Sequence, residues 1–158
     1  MIVENELTAY CGLYCGDCIR YRSRASDLAS QLLGELKNTE FCKYAEIKSS
    51  SDKQLDPVKQ FEHYSECCDV LEAISALRCN SPCRIGGGCS AFSCSILECC
   101  QKKGLKGCWQ CEGFEDCEKL DVLKSIHGDS FRQNLRTIKD YGLEKWIEHR
   151  YKPYVWQS

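Results

Sequence analysis

Residues 56–77 read DPVKQFEHYSECCDVLEAISAL, and this stretch decides the fold class. Asp56 supplies a capping carboxylate, and Pro57 stands at the first helical position, where its missing N–H costs nothing. Behind them Val58, Phe61, Tyr64, Cys68, Leu71, Ile74 and Leu77 recur at steps of three and four, the period of one helical face. The pattern predicts an amphipathic helix of about five turns. Upstream, Ser26 or Asp27 can cap a helix that carries Leu28, Leu32, Leu33 and Leu36 and ends near Asn38. Residues 48–55 (KSSSDKQL) are polar and read as a loop, and residues 1–10 as a short strand or extended lead-in. Downstream, EKLDVLKSI at 118–126 reads as helical, and Gly128-Asp129 restarts a helix with Phe131, Leu135 and Ile138. Gly142 breaks that helix before Leu143, Trp146 and Ile147, and Pro153 closes the ordered part. Strands and helices do not alternate, so the reading is a mainly α-helical, single domain over residues 1–158.

Between the helices the sequence changes character. Residues 78–117 hold nine cysteines and six glycines, with GGG at 86–88 in the middle and a short predicted helix from Ser95 to Lys103 stopped by Gly104. Such a segment has little apolar core of its own and needs cross-links. The whole chain has 15 cysteines, an odd number that no complete intramolecular disulfide set can use. MIVENELTAY at the start lacks the charged and apolar regions of a secretory signal, and no run is long enough to span a membrane. The expectation is a soluble, cytoplasmic protein with reduced thiols, whose close cysteine pairs bind metal. With 21 basic and 23 acidic residues interspersed, the net charge of −2 gives no footprint for a polyanion. Nucleic acid is therefore disfavoured, a membrane is not expected, and another protein is the partner left open.

The first cluster is Cys11, Cys15 and Cys18 in CGLYCGDC, and the last is Cys108, Cys111 and Cys117 in CWQCEGFEDC. Three thiolates at close range repel unless a cation lies between them, and a C-x2-C turn can aim two sulfurs at one ion. Each trio needs a fourth ligand for a closed tetrahedral zinc site, and Cys79, Cys83, Cys89, Cys94, Cys99 and Cys100 are the available lenders. Adjacent cysteines diverge on a helix, so Cys99 and Cys100 should not share an ion. Cys42, Cys67 and Cys68 read as packed thiols. His63, His127 and His149 stand apart from the clusters and read as surface or packing residues. Lys102, Lys103 and Lys106, near Trp109 and Phe114, read as a solvated helix end. The C-x3-C-x2-C spacing also occurs in enzymes that hold a four-iron cluster and bind S-adenosylmethionine. Those enzymes are built on strand–helix repeats that this chain lacks, and Asp17 stands where they often carry an aromatic residue.

CGLYCGDC at 11–18, CSILEC at 94–99, KGLKGCWQCEGFEDCEKL at 103–120 and NLRTIKDYGLEKWIEH at 134–149 together resemble a prokaryotic cysteine-rich family. It is domain-of-unknown-function family 3795, generally regarded as zinc-binding. Position by position, the resemblance implies family cysteines at Cys11, Cys15, Cys18, Cys79, Cys83, Cys89, Cys94, Cys99, Cys108, Cys111 and Cys117. The family brings no assigned reaction. The candidate metal ligands are Cys11, Cys15, Cys18, Cys83, Cys89, Cys94, Cys99, Cys108, Cys111 and Cys117, with Cys94 and Cys99 the favoured lenders. The expected cofactor is zinc, about two ions per chain, in a non-catalytic binding or scaffolding module. The alternative is an iron–sulfur protein of electron transfer or radical chemistry, since sulfur ligands suit both metals.

Overall fold

The computed structural model describes residues 4–50, 58–88 and 94–150. Among these residues there are eight α-helices and no strand, only a single antiparallel bridge between Thr8 and Tyr14, so the fold is mainly α. The chain divides into two compact units, the first made of residues 1–21 and 80–158 and the second of residues 22–79.

The second unit holds α1 (Arg24–Asn38), α2 (Phe41–Ser50) and α3 (Tyr64–Ala76). Ser23 caps α1 by accepting the Ser26 N–H, three residues before the cap expected from sequence, and the helix ends at Asn38 as read. Its buried face is Ser26, Ala29 and Leu33, while Leu28 and Leu32 are about half exposed. The stretch that decides the fold class is helical, but not as one helix. A 3-10 turn over Lys59–His63 precedes α3, and Asp56 and Pro57 lie outside the described residues. Aromatic packing accounts for the break: the Phe61 ring meets Phe41 edge-on at 5.5 Å, and Tyr64 lies 5.7 Å from the same ring. The tighter 3-10 winding lets Phe61 and Tyr64 reach one partner. α2 covers residues 48–50, which read as loop. The unit closes on itself where the Arg22 N–H donates to the Cys79 carbonyl at 2.9 Å.

The first unit holds α4 (Ser95–Lys102), α5 (Glu118–Asp121), α6 (Lys124–His127), α7 (Ser130–Tyr141) and α8 (Trp146–His149). α7 carries Phe131, Leu135 and Ile138 on one face, all essentially without exposure, and ends at Gly142 as the sequence predicts. The helix read over 118–126 is split into α5 and α6. Residues 4–7 form a 3-10 turn in place of the expected extended lead-in. Against α7 lies the first cysteine loop, and Gly12 is what lets it approach. Its φ is +86°, and a Cβ there would fall 2.7 Å from the Phe131 carbonyl oxygen and 2.9 Å from Leu135 Cγ. Trp146, fully buried, donates its indole N–H to Thr8 Oγ1 at 3.1 Å and meets the Tyr14 ring edge-on. The start of the unit is thereby fastened to its last helix.

Candidate metal centre

The two C-x2-C turns of the first unit share one backbone form. Cys15–Asp17 and Cys108–Gln110 are each a 3-10 turn, and each is closed by the second cysteine in extended conformation, Cys18 at φ −80° and Cys111 at φ −85°. The Cys18 N–H donates to the Cys15 carbonyl, and the Cys111 N–H to the Cys108 carbonyl. The first and last clusters, about a hundred residues apart in sequence, are joined directly: the Cys108 N–H donates to the Tyr10 carbonyl at 2.8 Å. Arg84 clamps the same junction. Its guanidinium donates to the carbonyls of Thr8 and Lys106 and lies over the rings of Tyr10 and Trp109.

At this junction sulfurs gather. Cys100 Sγ and Cys108 Sγ lie 3.6 Å apart and buried, far beyond the roughly 2.05 Å of a disulfide. The Cys100 thiol is drawn down to about 7, chiefly by its hydrogen bond with Cys108, with burial opposing and the charges of Arg84 and Lys103 assisting. Cys108 is pushed far above the ordinary thiol range by that same hydrogen bond, then by burial, then by the negative charge of Cys100, Cys11 and Cys117. The two thiols share one hydrogen bond, in which either sulfur can be the donor. Cys11, Cys100 and Cys117 are the three cysteines whose charge bears on Cys108. The backbone of Cys117 is held by buried Arg132, which donates to its carbonyl and to Asp121.

A zinc–sulfur bond of about 2.3 Å gives a tetrahedral site a sulfur–sulfur edge of about 3.8 Å, so the Cys100–Cys108 separation is close to one such edge. The donor chemistry fits zinc as well. Among the described residues, however, no group of three or more His, Cys, Asp or Glu side chains is gathered so that it could hold an ion. The arrangement is a single sulfur–sulfur edge, Cys100–Cys108.

The other candidates fall around this edge. Cys111 packs against the same core with its sulfur 4.0 Å from Lys103 Nζ, and Cys15 and Cys18 lie on the turn beyond Cys11. Cys83 is half-buried, and burial pushes its thiol up; Cys94, which precedes α4, is exposed. Cys99 is only partly buried, and Cys89 lies outside the described residues. Cys79 belongs to the second unit with Cys42, Cys67 and Cys68. The reading of those last three as packed thiols needs correcting: Cys42 and Cys67 are exposed and Cys68 is half-buried. The second unit buries little beyond Ala29, Leu33 and Ala45, which leaves these thiols at its surface. Cys100, one of the six possible lenders, was left out of the favoured ligand set. Its signal was present, because Ile96 and Cys100 stand four apart on α4 and both are buried.

No helix among the described residues is long and apolar enough to cross a membrane. No match to the chain was found among curated proteins or among solved structures. One family, described as a protein of unknown function (DUF3795), matches residues 7–122, which take in the first cluster, the buried sulfur pair and the whole of the last cluster. The chain belongs to this DUF3795 family of proteins of unknown function.

Proposed function

We propose that this protein is a zinc-binding module in which Cys11, Cys100, Cys108 and Cys117 hold one ion, with a binding or scaffolding role and no catalysis of its own. The observation that carries the reading is the buried Cys100–Cys108 contact, one tetrahedral edge long; Cys11 and Cys117 are chosen because their charge bears on Cys108. Buried like charges of this kind are costly alone and favourable around a cation. Four thiolates would close the shell and leave no position for a reacting water, which is the reason for assigning a structural role. A bound structural zinc contributes about 10–16 kcal/mol in small peptides, comparable to the net stability of a domain. The ion would thereby fasten the start of the chain to residues 100–117. Cys83 and Cys94 are left among the candidates for a second site, which about two ions per chain would require.

Elemental analysis of anaerobically purified, unstripped protein tests this, together with Cys100→Ser and Cys99→Ser variants. Wild type should carry zinc, Cys100→Ser should lose about one equivalent, and Cys99→Ser should keep it. Iron and sulfide with brown absorption would replace the zinc reading by an iron–sulfur one. Loss from Cys99→Ser with retention in Cys100→Ser would sink the ligand set.

A further inference from the structure

Beside the last cysteine loop the first unit has an open cleft of about 510 Å³, within the range of small-molecule sites. Its walls include Asn5, Lys106, Trp109, Tyr141, Leu143 and Lys145. We propose that this cleft binds a small planar aromatic anion, with the rings of Trp109 and Tyr141 taking its plane and Lys106 and Lys145 its charge. Nothing in this assignment depends on the metal.

Trp109 is held in place before any ligand arrives. Its six-membered ring lies so close over Gly107 that a Cβ there would fall 2.0 Å from Cζ3, and the Arg84 guanidinium sits 5.3 Å from the ring centroid. Tyr141 is backed by the His149 imidazole, stacked at 3.9 Å and 14°, which fixes the ring and occupies one of its faces. Aromatic rings held in this way give stacking area at little further entropic cost. The loop between them is also tied: the Lys106 N–H donates to Gln110 Oε1, and the Lys106 carbonyl accepts from Arg84.

Charge selects the ligand's sign. Lys106 and Lys145 are exposed at the rim, and neither forms an ion pair among the described residues, in contrast to Lys37, Lys43 and Lys124. Glu144 is the single acidic residue on the wall, so the cleft carries a net charge of one positive unit. One surplus charge in a chain of net charge −2 suits a small anion and gives no steering for a polyanion. The proposal therefore commits to a free small molecule.

Isothermal titration calorimetry on the full chain, with adenosine monophosphate and benzoate as probes, tests this. Adenosine and inorganic phosphate are the controls, and the Trp109 indole N–H resonance reports the place of binding. At least one of the two aromatic anions should bind saturably and shift that resonance; which one does distinguishes a phosphate-bearing from a carboxylate-bearing ligand. Adenosine and phosphate alone should each bind at least about tenfold more weakly, the loss of one charged or one stacking contact. Replacing both Lys106→Ala and Lys145→Ala, which are exposed and should leave the far-UV spectrum unchanged, should cost a similar factor or more. No saturable binding of either anion up to about 5 mM would overturn the proposal. So would equal affinity for adenosine, equal affinity for phosphate, or an unaltered affinity in the double variant. An oligonucleotide that binds more tightly than the monophosphate, with a steep salt dependence, would reassign the cleft to nucleic acid and overturn the commitment to a free ligand.

Discussion

Gly12→Ala is the substitution that most directly probes how the first cysteine loop is seated. Two costs add. At φ +86° an alanine pays about 1–2 kcal/mol for the left-handed backbone. Its methyl would also stand 2.7 Å from a backbone oxygen of α7 and 2.9 Å from Leu135 Cγ. Phe131 and Leu135 are both fully buried, so neither can move aside, and overpacking of this kind costs about 1–3 kcal/mol. The stiffer unfolded chain returns about 0.4–1 kcal/mol. The net expectation is a loss of about 2–4 kcal/mol, a large share of a typical domain's stability. Urea unfolding followed by tryptophan fluorescence, at one fixed zinc concentration, should show a lower midpoint with an unchanged slope. Gly34→Ala is the control of opposite sign. Gly34 lies within α1 with nothing within 4 Å of the added carbon, so that variant should gain about 0.5–1 kcal/mol in its own unit. A Gly12→Ala protein within about 0.5 kcal/mol of wild type would falsify the close seating of the loop on α7.

Thiol reactivity should divide the cysteines by place. Brief alkylation of the native protein followed by peptide mapping should modify Cys42 and Cys67, which are exposed, and spare Cys100 and Cys108, which are buried; rapid labelling of Cys108 would contradict the buried junction. Acid should act through Asp121, whose carboxyl is held below its ordinary value of 3.8 by Lys124 and by the buried Arg132. A depressed carboxylate contributes stability above its unfolded pKa and loses it as pH falls through the folded one. Asp121→Asn should therefore be less stable than wild type at neutral pH, with the gap closing only below about pH 3.8 in a pH series of melts; a gap that is constant down to pH 2 would show that the charge is not involved.

Much of the architecture was legible in the residues, and the failures have identifiable causes. α7 and the stop at Gly142 follow from Phe131, Leu135 and Ile138 at helical spacing, because that helix packs on one side and its period survives folding. The face of α1 was misjudged since Leu28 and Leu32 look like core, while the small Ala29 makes the close contact; periodicity records apolarity, not which side a neighbour occupies. The break at Lys59–His63 comes from one ring, Phe41, which lies some twenty residues away, and no local pattern contains it. Cys100 was obscured for a different reason. The family resemblance of CSILEC favoured its neighbour Cys99, whereas the helical face shared with Ile96 points to Cys100. The meeting of Tyr10 with Cys108 could be anticipated only as a need for a fourth sulfur; the hydrogen bond that makes it is between backbones.

The Arg22–Cys79 hydrogen bond gives the second unit a common point of departure and return. A segment whose two ends are that close behaves as a graft. It can be lengthened, trimmed or exchanged while its host keeps the same chain path on either side, because the junction asks only for two neighbouring backbone groups. The sequence stretches that carry the family resemblance, 11–18, 94–99, 103–120 and 134–149, all lie in the host. Residues 22–79, with Cys42 and Cys67 exposed on their surface, thus leave that host and return to it at one pair of backbone groups.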